Sequence, residues 1–554
     1  MAMLARFTPA AAAGAGGGGA GTTPAGGAAS TSAATSATST ARGSGVCSKC
    51  GEVPAAECVT VRLAPLCRHC LLATTQARLK GALIAGPGVG RPIALSLTCS
   101  AACAAVAALL NKLSDFGRRP RFFASVAAIH VDVGRVGTTT TDGVPPTPLS
   151  AAAAEAVTLA LQQRLSVVVV PLEAAFADDG VVDAAGWAVV GAAAPVEAPA
   201  AERLGRATQT ADGMAPSLPP SAPSVVDGLA SVQAAAGAAW VGAAWDAARS
   251  RMDAAFRSAA ASRDGADELL AACVSALAAT TAARCRVAAL VRCDTVDAAA
   301  TAILRAVCTG RGEGIPLLAA PVDASWSGGG CDAPAIDIPS NWYSAPVRPP
   351  PPAAGGADGS GVLVLRPFLE VEAAELELYC DAAGLPAYRR VPRERDAVPA
   401  SIAAATADLL AGLQASFGNS VHNVVRTAGK LAVPSHGAGA TAFCALCRAL
   451  LPAATPAATA AAAAAAHEVG ISPTPPRLLH TLCRGCLLSR KAAHAHGGSA
   501  VDGVAADVDV LPSHALTALS GRLGAGASSE PARRAALRAH IADWLLADDS
   551  EGDA

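Results

Sequence analysis

The sequence predicts an α/β protein with a parallel-sheet core, flanked by two cysteine-paired modules. The first observation is an alternation of buried-type strands with helical stretches, with strands at Ile93–Leu97, Phe122–Val133 and Leu165–Leu172. This spacing is typical of right-handed βαβ units. The second observation is that four CxxC pairs bracket the core, two before it and two after it. Such pairs are typical of metal knuckles.

Composition and charge limit the classes of function. The chain has 554 residues, enough for two or three domains. Its hydrophobic share is 52%, but only 3% is aromatic, and 53 Gly and 38 Pro indicate long linkers. The net charge of −2 gives no global attraction for nucleic acid or membrane, so a polyanion would need local basic patches. The alanine run at 457–466 is too short for a bilayer, and we expect no membrane contact.

The N-terminal residues 1–45 are rich in Ala, Gly, Ser and Thr and contain no acidic residue. This composition predicts a disordered low-complexity extension, because it offers little surface to bury. It also fits an organellar transit peptide, so both interpretations stay open. The 17 cysteines form an odd set with paired spacing, which favours metal binding in a reducing compartment over disulfides.

The first cysteine set predicts a zinc ribbon over residues 46–75. Its spacing is C-x2-C-x16-C-x2-C, and the ligands are Cys47, Cys50, Cys67 and Cys70. Each knuckle turns the backbone so that both thiolates face one tetrahedral centre. The alternating run Val59–Leu63 between the knuckles suits a hairpin strand. Four free cysteines, or a redox CxxC, are the alternatives, although a redox motif needs only one pair.

The second cysteine set predicts a C-terminal zinc module over residues 436–490. Its spacing is C-x2-C-x35-C-x2-C, and its ligands are Cys444, Cys447, Cys483 and Cys486. The long gap is an Ala/Pro-rich insertion. It is compatible with one site, because the entropic cost of closing a loop grows only slowly with loop length. Spacing alone leaves iron–sulfur ligation open at both sets. The tail, 491–554, carries a predicted amphipathic helix at Ser529–Leu546.

Between the two modules, residues 76–435 form the predicted α/β domain, with mobile insertions at about 176–237 and 326–361. Its opening stretch, Ile93–Leu110, is a strand, a short loop and a helix. This is the place where phosphate binds in many α/β domains, because helix N-terminal amides point outward there. Phosphate loops need glycine for a tight turn and close approach, and this loop has none.

The order of these features resembles the cytoplasmic tRNA 2-thiolation protein 2 family, the second subunit of the cytosolic wobble-uridine thiolase. The shared landmarks are the CxxC ribbon, the strand–loop–helix at Ser96, Gly310–Gly312, Arg366–Phe368 and the CALC…LCRGC end. The stretch His422–Leu431 is also similar. The resemblance covers about residues 46–490 without the insertions, and it implies a nucleotide α-hydrolase (PP-loop) fold.

The resemblance also implies a function and partners. Active superfamily members hold ATP in a Ser-Gly-Gly-x-Asp-Ser loop and adenylate the target uridine. Sulfur from a thiocarboxylated ubiquitin-like carrier then replaces the activated oxygen. The second subunit pairs with a catalytic subunit as a heterodimer and has a degenerate loop. We therefore expect a non-catalytic, cytoplasmic subunit for mcm5s2U formation in tRNAs of the Lys, Glu and Gln class.

The degenerate loop corresponds to six residues of this chain: Ser96, Leu97, Thr98, Cys99, Ser100 and Ala101. The first serine is kept, and Leu97 and Thr98 replace the glycines, where their side chains obstruct phosphate approach. Ser100 stands in place of the magnesium-binding aspartate. We therefore expect no ATP turnover by this chain alone.

Two further residue types near the loop have both a functional and a structural interpretation. Cys99 or Cys103 would be activated at a helix N-terminus and would suit a sulfur relay, but buried cysteines are also common in alanine-rich helices. No neighbouring base or acid is evident from the sequence. Asp294 follows a strand, where ligands bind, and would equally suit a helix cap.

Local basic residues are the candidate tRNA contacts, with solvated surface charge as the alternative for each. They are Arg118, Arg119, Arg121, Arg389, Arg390, Arg426 and Lys430. Two other functional hypotheses remain beside the partner subunit. One is an active ATP-dependent tRNA-adenylating thiolase with a divergent loop. The other is a zinc-ribbon interaction protein unrelated to tRNA.

Overall fold

The computed structural model divides the chain into two compact units, Met1–Leu71 and Leu72–Ala554. The residues that the structure describes are 46–61, 64–85, 90–98, 100–114, 123, 125–134, 149–177, 189–191, 225–259, 263–323, 325–326, 362–385, 401–431, 443–449, 451, 482–483, 486, 511–522, 531–537 and 539. The predicted extension 1–45 and most of the two predicted insertions lie outside this set.

Strands and helices alternate along the described parts of the chain. In chain order the elements are β1 (Val59–Val61), β2 (Ala64–Leu66), α1 (Arg68–Ala85), β3 (Pro92–Ser96), α2 (Ala101–Ser114), β4 (Ser125–Asp132), α3 (Ala151–Gln162), β5 (Ser166–Pro171), β6 (Val189–Gly191), α4 (Val225–Ala239), α5 (Ala243–Ala259), α6 (Arg263–Arg284), β7 (Ala289–Val291), α7 (Val296–Cys308), α8 (Ile315–Ala319), β8 (Val322–Asp323), β9 (Leu363–Leu365), α9 (Ala373–Ala383), α10 (Ile402–Ser416), α11 (Ser420–Ala428) and α12 (Ser513–Arg522).

The first unit contains a small antiparallel hairpin. Its strands β1 and β2 pair with Val59 opposite Leu66 and Val61 opposite Ala64. An isolated bridge joins Val46 to Pro54. The described part of the predicted strand Val59–Leu63 is β1, and the last two residues of that prediction lie outside the described residues. A hairpin this small has little core of its own.

The second unit is built on one mixed, mostly parallel sheet with the order β6-β5-β4-β3-β7-β9-β8. The five inner strands are parallel, and the edge strands β6 and β8 run antiparallel. The predicted α/β class is confirmed. Strands β4 and β5 are almost completely buried along their length, as the near-continuous apolar sequences of inner parallel strands require.

The strand order reverses direction between β3 and β7. The first three parallel strands, β3, β4 and β5, are added outward on one side, and β7 and β9 on the other. With right-handed crossovers this reversal puts helices on both faces of the sheet. Strand β3 therefore lies inside the sheet, hydrogen-bonded to β4 along one side and to β7 along the other.

Two differences from the sequence prediction are local. The range 176–237 is not wholly aperiodic, because it contains β6 and most of α4. The predicted strand Arg286–Arg292 is reduced to β7, which pairs with β3 over three residues. In the predicted tail helix, residues 531–537 are helical and Leu537 is buried. The rest of its predicted apolar face lies outside the described residues.

Helix α6 is the described helix that has the length and apolar composition to span a bilayer, from Asp264 to Arg284. It packs against β4, β7 and α5, and more than half of it is buried inside the domain. An internal helix of a large α/β domain has this same composition, because both of its sides contact other elements. Its packing identifies it as a core helix.

The inner position of β3 gives a direct stability prediction. Leu95 is fully buried in β3, so Leu95→Ala should lower the free energy of unfolding by about 2–5 kcal/mol. Leu409 on α10 is 56% exposed, and Leu409→Ala should change the free energy of unfolding by about 0.5 kcal/mol or less. Chemical denaturation of both variants measures the difference. Equal effects would contradict the position of β3 in the core.

Candidate functional site

The crevice at the carboxyl ends of β3 and β7 is the first candidate site. In open α/β sheets, ligands bind where the strand order reverses. The residues that follow β3 are the degenerate loop, and those that follow β7 are Arg292, Cys293, Asp294 and Thr295. The sheet thus brings the loop and Asp294 to the same crevice, as expected for neighbouring parallel strands.

The loop uses its polar groups within the protein. The hydroxyl of Ser100 accepts a hydrogen bond from the Cys103 amide (3.2 Å), which makes Ser100 the N-cap of α2. The Leu97 amide donates to Ile129 O (2.8 Å), and Leu97 is buried. The Thr98 amide donates to Cys103 Sγ (3.3 Å), and the Thr98 hydroxyl lies 3.2 Å from the same sulfur. These contacts occupy groups that a phosphate loop presents to an anion.

The remaining loop residues follow the same pattern. Ser96 ends β3 and is half-buried, and its carbonyl lies 3.6 Å from Cys103 Sγ, where it accepts when the thiol is protonated. Ala101 begins α2. Cys99 lies outside the described residues. Beside the loop, Nδ1 of buried His130 hydrogen bonds to Leu97 O (2.8 Å), and burial lowers the pKa of His130.

Cys103 and Cys293 follow the neighbouring strands β3 and β7, at the same end of the sheet. The pKa of Cys103 is lowered to about 6. The nearby Cys293 side chain contributes most to this shift, burial opposes it, and hydrogen bonds with Ser100 and Thr98 add to it. Burial raises the pKa of Cys293 well above its ordinary value. Because Cys293 is 190 positions further along the chain, its place beside Cys103 at this end of the sheet follows from the strand order.

Asp294 is an ion-pair residue and does not cap a helix. The cap of α7 is Thr295, whose hydroxyl accepts from the Ala298 amide. Asp294 Oδ2 lies 3.1 Å from Arg292 Nε and 3.4 Å from Arg366 Nε. Burial opposes ionisation, but Arg292 and Arg366 together hold the pKa of Asp294 below its usual range.

Arg366 connects this crevice to the edge of the sheet. Its Nη2 lies 3.0 Å from Oδ2 of buried Asp323 in β8, and its Nη1 donates to the carbonyls of Leu317 and Ala320. A guanidinium group whose N–H donors are mostly hydrogen-bonded holds the acceptor groups around it in a fixed arrangement. The Arg366–Phe368 landmark is therefore a structural anchor, and Phe368 is fully buried.

The first cysteine set converges. The Sγ atoms of Cys47, Cys50, Cys67 and Cys70 all lie within 4.8 Å of one another. Cys47 and Cys67 are buried, and the Cys67 amide donates to Cys47 Sγ at 3.4 Å. Backbone amides of Cys50, Cys67 and Lys49 lower the pKa of Cys47 to about 5, whereas burial raises the pKa of Cys70 to about 12. Cys58 and His69 are not part of the cluster.

The second cysteine set converges in the same way despite its long gap. Cys444, Cys447, Cys483 and Cys486 have their Sγ atoms within 4.8 Å of one another. Cys447 Sγ and Cys483 Sγ are 3.5 Å apart, and the Cys483 amide donates to Cys444 Sγ at 3.3 Å. Hydrogen bonds from the other three thiols lower the pKa of Cys444. His480, which stands three residues before Cys483 in the sequence, lies outside the described residues.

Both clusters fit a metal ion. Each has four thiols at mutual distances that suit tetrahedral coordination, and amide N–H groups donate to their sulfurs. Four thiols held this close ionise unequally in the absence of a cation, and a bound metal deprotonates its thiol ligands. The grouping confirms metal-type sites in place of isolated free cysteines. It does not select zinc over iron.

Three cationic or titratable side chains surround the second cluster. The thiolates of this cluster and Glu268 raise the pKa of Arg311 despite its burial. Arg448 lies in the knuckle at φ 60°, donates to Ser325 O (2.7 Å) and stacks on the Trp326 and Phe443 rings. His514 Nε2 lies 3.1 Å from Leu446 O, and burial lowers its pKa to about 4. Sequence reasoning missed these roles, although Gly310–Gly312 already marked Arg311.

The predicted tRNA-contact residues are only partly described. Arg426 and Lys430 are exposed on and just after α11. The others lie outside the described residues: Arg118, Arg119, Arg121, Arg389 and Arg390. The structure therefore presents two neighbouring cations on one surface and does not test the remaining five.

Metal analysis tests the clusters. We expect one metal equivalent per cluster in the full chain, and Cys483→Ser should lose that of the second cluster while keeping the first. Cys273→Ser removes a buried cysteine outside both clusters and should leave the metal content unchanged. Elemental analysis and the visible absorbance spectrum report the amount and the element. Full metal content in Cys483→Ser would contradict the assignment.

Comparisons with known proteins give a resemblance among solved structures. No protein-family model matches the chain, and no curated protein does. Among solved structures, the U34-tRNA thiolase NcsA from Methanococcus maripaludis, with its [4Fe-4S] cluster, is 13% identical. The match covers 72% of this chain and 91% of that chain, with a TM-score of 0.38. The fold of this chain is defined by its own strand order.

Proposed function

We propose that this chain is a non-catalytic subunit for 2-thiolation of the wobble uridine in cytosolic tRNAs. It would act in a heterodimer with a catalytic PP-loop subunit, which adenylates the uridine and takes sulfur from a thiocarboxylated ubiquitin-like carrier. The proposal rests on the order of sequence landmarks together with the state of the β3–α2 loop. Its substrates would be tRNAs of the Lys, Glu and Gln class.

The internal hydrogen bonding of the β3–α2 loop is the observation that supports a non-catalytic role. An ATP-binding loop presents free amides at the helix N-terminus and lets the phosphate approach closely. Here the Thr98 amide bonds to Cys103 Sγ, and Ser100 caps α2 in place of binding magnesium. Phosphate binding at this loop would have to break these contacts.

The cysteine clusters supply the second part of the proposal. We propose zinc at both sites, with iron–sulfur ligation as the alternative outcome of metal analysis. A metal-stabilised knuckle is a rigid platform, because the ion fixes backbone that has little hydrophobic core. In the second cluster, the cation of Arg311 offsets the negative charge that four thiolates bring. Such platforms suit contact with tRNA or a protein partner.

Reconstitution tests the proposed function. The chain should be required, together with a candidate catalytic subunit, for 2-thiouridine to appear in tRNA when the two are co-expressed. The isolated chain should neither bind ATP nor release pyrophosphate in the presence of tRNA. Mass spectrometry of tRNA nucleosides and a pyrophosphate-release assay measure the two expectations.

The outcomes separate the alternatives. Pyrophosphate release by the isolated chain, abolished by Ser96→Ala, would replace the partner role with that of an active thiolase. Failure of the chain to support thiolation with any catalytic subunit, and to retain tRNA under salt-controlled washing, would favour an interaction protein unrelated to tRNA. Cys273→Ser serves as the matched control, because Cys273 is buried away from the loop and both clusters.

Charge reversal tests the exposed cations. Arg426→Glu with Lys430→Glu should weaken tRNA binding by the heterodimer similarly for all tRNAs. It should also reduce the slope of log affinity against log salt by about 2, since each phosphate contact contributes about 0.9. Arg91→Glu with Lys112→Glu makes the same charge change at two other exposed positions and should leave the slope unchanged. Equal slopes in both double variants would argue against contact at α11.

A further inference from the structure

We propose that a network of buried ion pairs couples the second cysteine cluster to α10, so that the first turn of this helix is held in place only while the cluster holds its metal ion. The coupling goes beyond the proposed function and does not depend on it. The network consists of Arg311, Glu268, Arg305 and Asp264, whose side chains are each at most 15% exposed. It contains two cations and two anions, so the buried group carries no net charge.

The knuckle of the second cluster packs against the turn that carries Arg311. Within this knuckle, the amide of the ligand Cys444 donates to Ala449 O at 2.7 Å, which fixes Ala449 next to the cluster. A Cβ placed on Gly314 would lie 3.3 Å from the Cβ of Ala449, so the backbone of the turn is in direct contact with the knuckle. The Gly314 amide in turn donates to Arg311 O at 3.0 Å. The position of the knuckle therefore sets the position of Arg311.

The ion-pair network runs from this turn to α10. Arg311 Nη2 forms an ion pair with the carboxylate of Glu268 on α6. The other oxygen of that carboxylate lies 3.7 Å from Arg305 Nε on α7. Arg305 Nη2 donates to Asp264 O at 3.0 Å and lies 3.8 Å from Asp264 Oδ1. Glu268 is thus shared between two arginines, and Arg305 is shared between two acids.

Asp264 ends the ion-pair network as a cap of α10. Its Oδ2 accepts from the Ile402 amide at 3.0 Å, and its Oδ1 accepts from the Ala403 amide at 3.3 Å. The first amides of a helix have no acceptor within the helix, so these two amides depend on Asp264. A carboxylate at this end also interacts favourably with the helix dipole. The order of the first turn therefore depends on where Arg305 holds Asp264.

Loss of metal acts on the ion-pair network from the end at Arg311. Without a metal ion, the thiols of the cluster are protonated and the backbone of the knuckle is no longer held at one point. Ala449 then loses its fixed position, and the turn that carries Arg311 gains freedom. When Arg311 moves away, Glu268 has Arg305 as its remaining arginine and draws it from Asp264, because the two acids share this guanidinium. The caps on the first turn of α10 weaken as a result.

Helix α10 is joined in turn to α11. The Val421 amide donates to Gln414 Oε1 at 3.3 Å, and the Ser420 hydroxyl donates to Leu413 O at 3.1 Å. These bonds connect the end of α10 to the start of α11, the helix that carries Arg426. The second cluster is therefore connected to the surface of the described candidate tRNA contacts. This consequence, unlike the coupling to α10, rests on the proposed function.

Hydrogen–deuterium exchange of the full, metal-loaded chain tests the coupling. Cys483→Ser should remove the metal of the second cluster, and the amides of Ile402 and Ala403 should then exchange about fivefold faster, the factor that corresponds to loss of one helix cap. Cys67→Ser removes a ligand of the first cluster, which belongs to the other compact unit, and should leave these amides unchanged. The Ala153 amide of α3, which is also held by a side-chain cap, is the internal control. Removal of metal from the wild-type chain with a chelator gives the same readout without a substitution.

Glu268→Gln tests the route in the presence of metal. Glutamine keeps the size of the side chain but removes the charge between the two arginines. The first amides of α10 should therefore exchange faster while both clusters keep their metal. When Glu268→Gln is combined with Cys483→Ser, exchange there should be no faster than with Cys483→Ser alone, because both changes interrupt the same network.

The outcomes separate a specific coupling from a general loss of structure. Unchanged exchange at Ile402 and Ala403 after loss of the second metal would overturn the coupling. An equal increase at Ala153 would also overturn it, because the whole domain would then have loosened. Unchanged exchange in metal-loaded Glu268→Gln would overturn the route through the ion pairs. Neither tRNA binding nor thiolation is part of this readout, so failure here leaves the proposed function untouched.

Discussion

The hydrogen bonding of β3 on both edges is the constraint on which the second unit depends. Because β4 lies on one side and β7 on the other, β3 has no freedom to shift without disrupting two ladders. The end of β3 is therefore a fixed point from which the loop and α2 begin. The same pairing places Cys293 and Asp294 beside the loop. Every contact in the crevice follows from this position of one short apolar strand.

Loss of glycine at this fixed point has a structural consequence as well as a chemical one. A phosphate loop leaves its amides open until ligand binds, which costs stability when no ligand is present. In the described part of this loop, the amides of Leu97 and Thr98 and the hydroxyl of Ser100 have partners within the protein. These groups are therefore satisfied without a bound ligand.

The two cysteine clusters solve different folding problems. The first lies beside a two-stranded hairpin with a small apolar cluster among the described residues, where a bound metal ion would supply free energy of folding that hydrophobic burial does not. The second closes a gap of 35 residues against the α/β domain, next to Arg311. Its neighbours Arg448 and His514 tie the knuckle to Ser325 and to α12. Metal loss should therefore affect the first unit more than the second.

The sequence by itself determined the α/β class, the order of the main strands and helices, and both cysteine sets, since these depend on local periodicity and on ligand spacing. It also identified the loop as altered, because glycine is absent there. Only the tertiary structure decided which distant residues meet: Arg366 with Asp294 and Asp323, and Arg311 with the second cluster. The interpretation of Asp294 as a cap was wrong, since Thr295 has that role. These pairings depend on strand order, which a single sequence pattern does not encode.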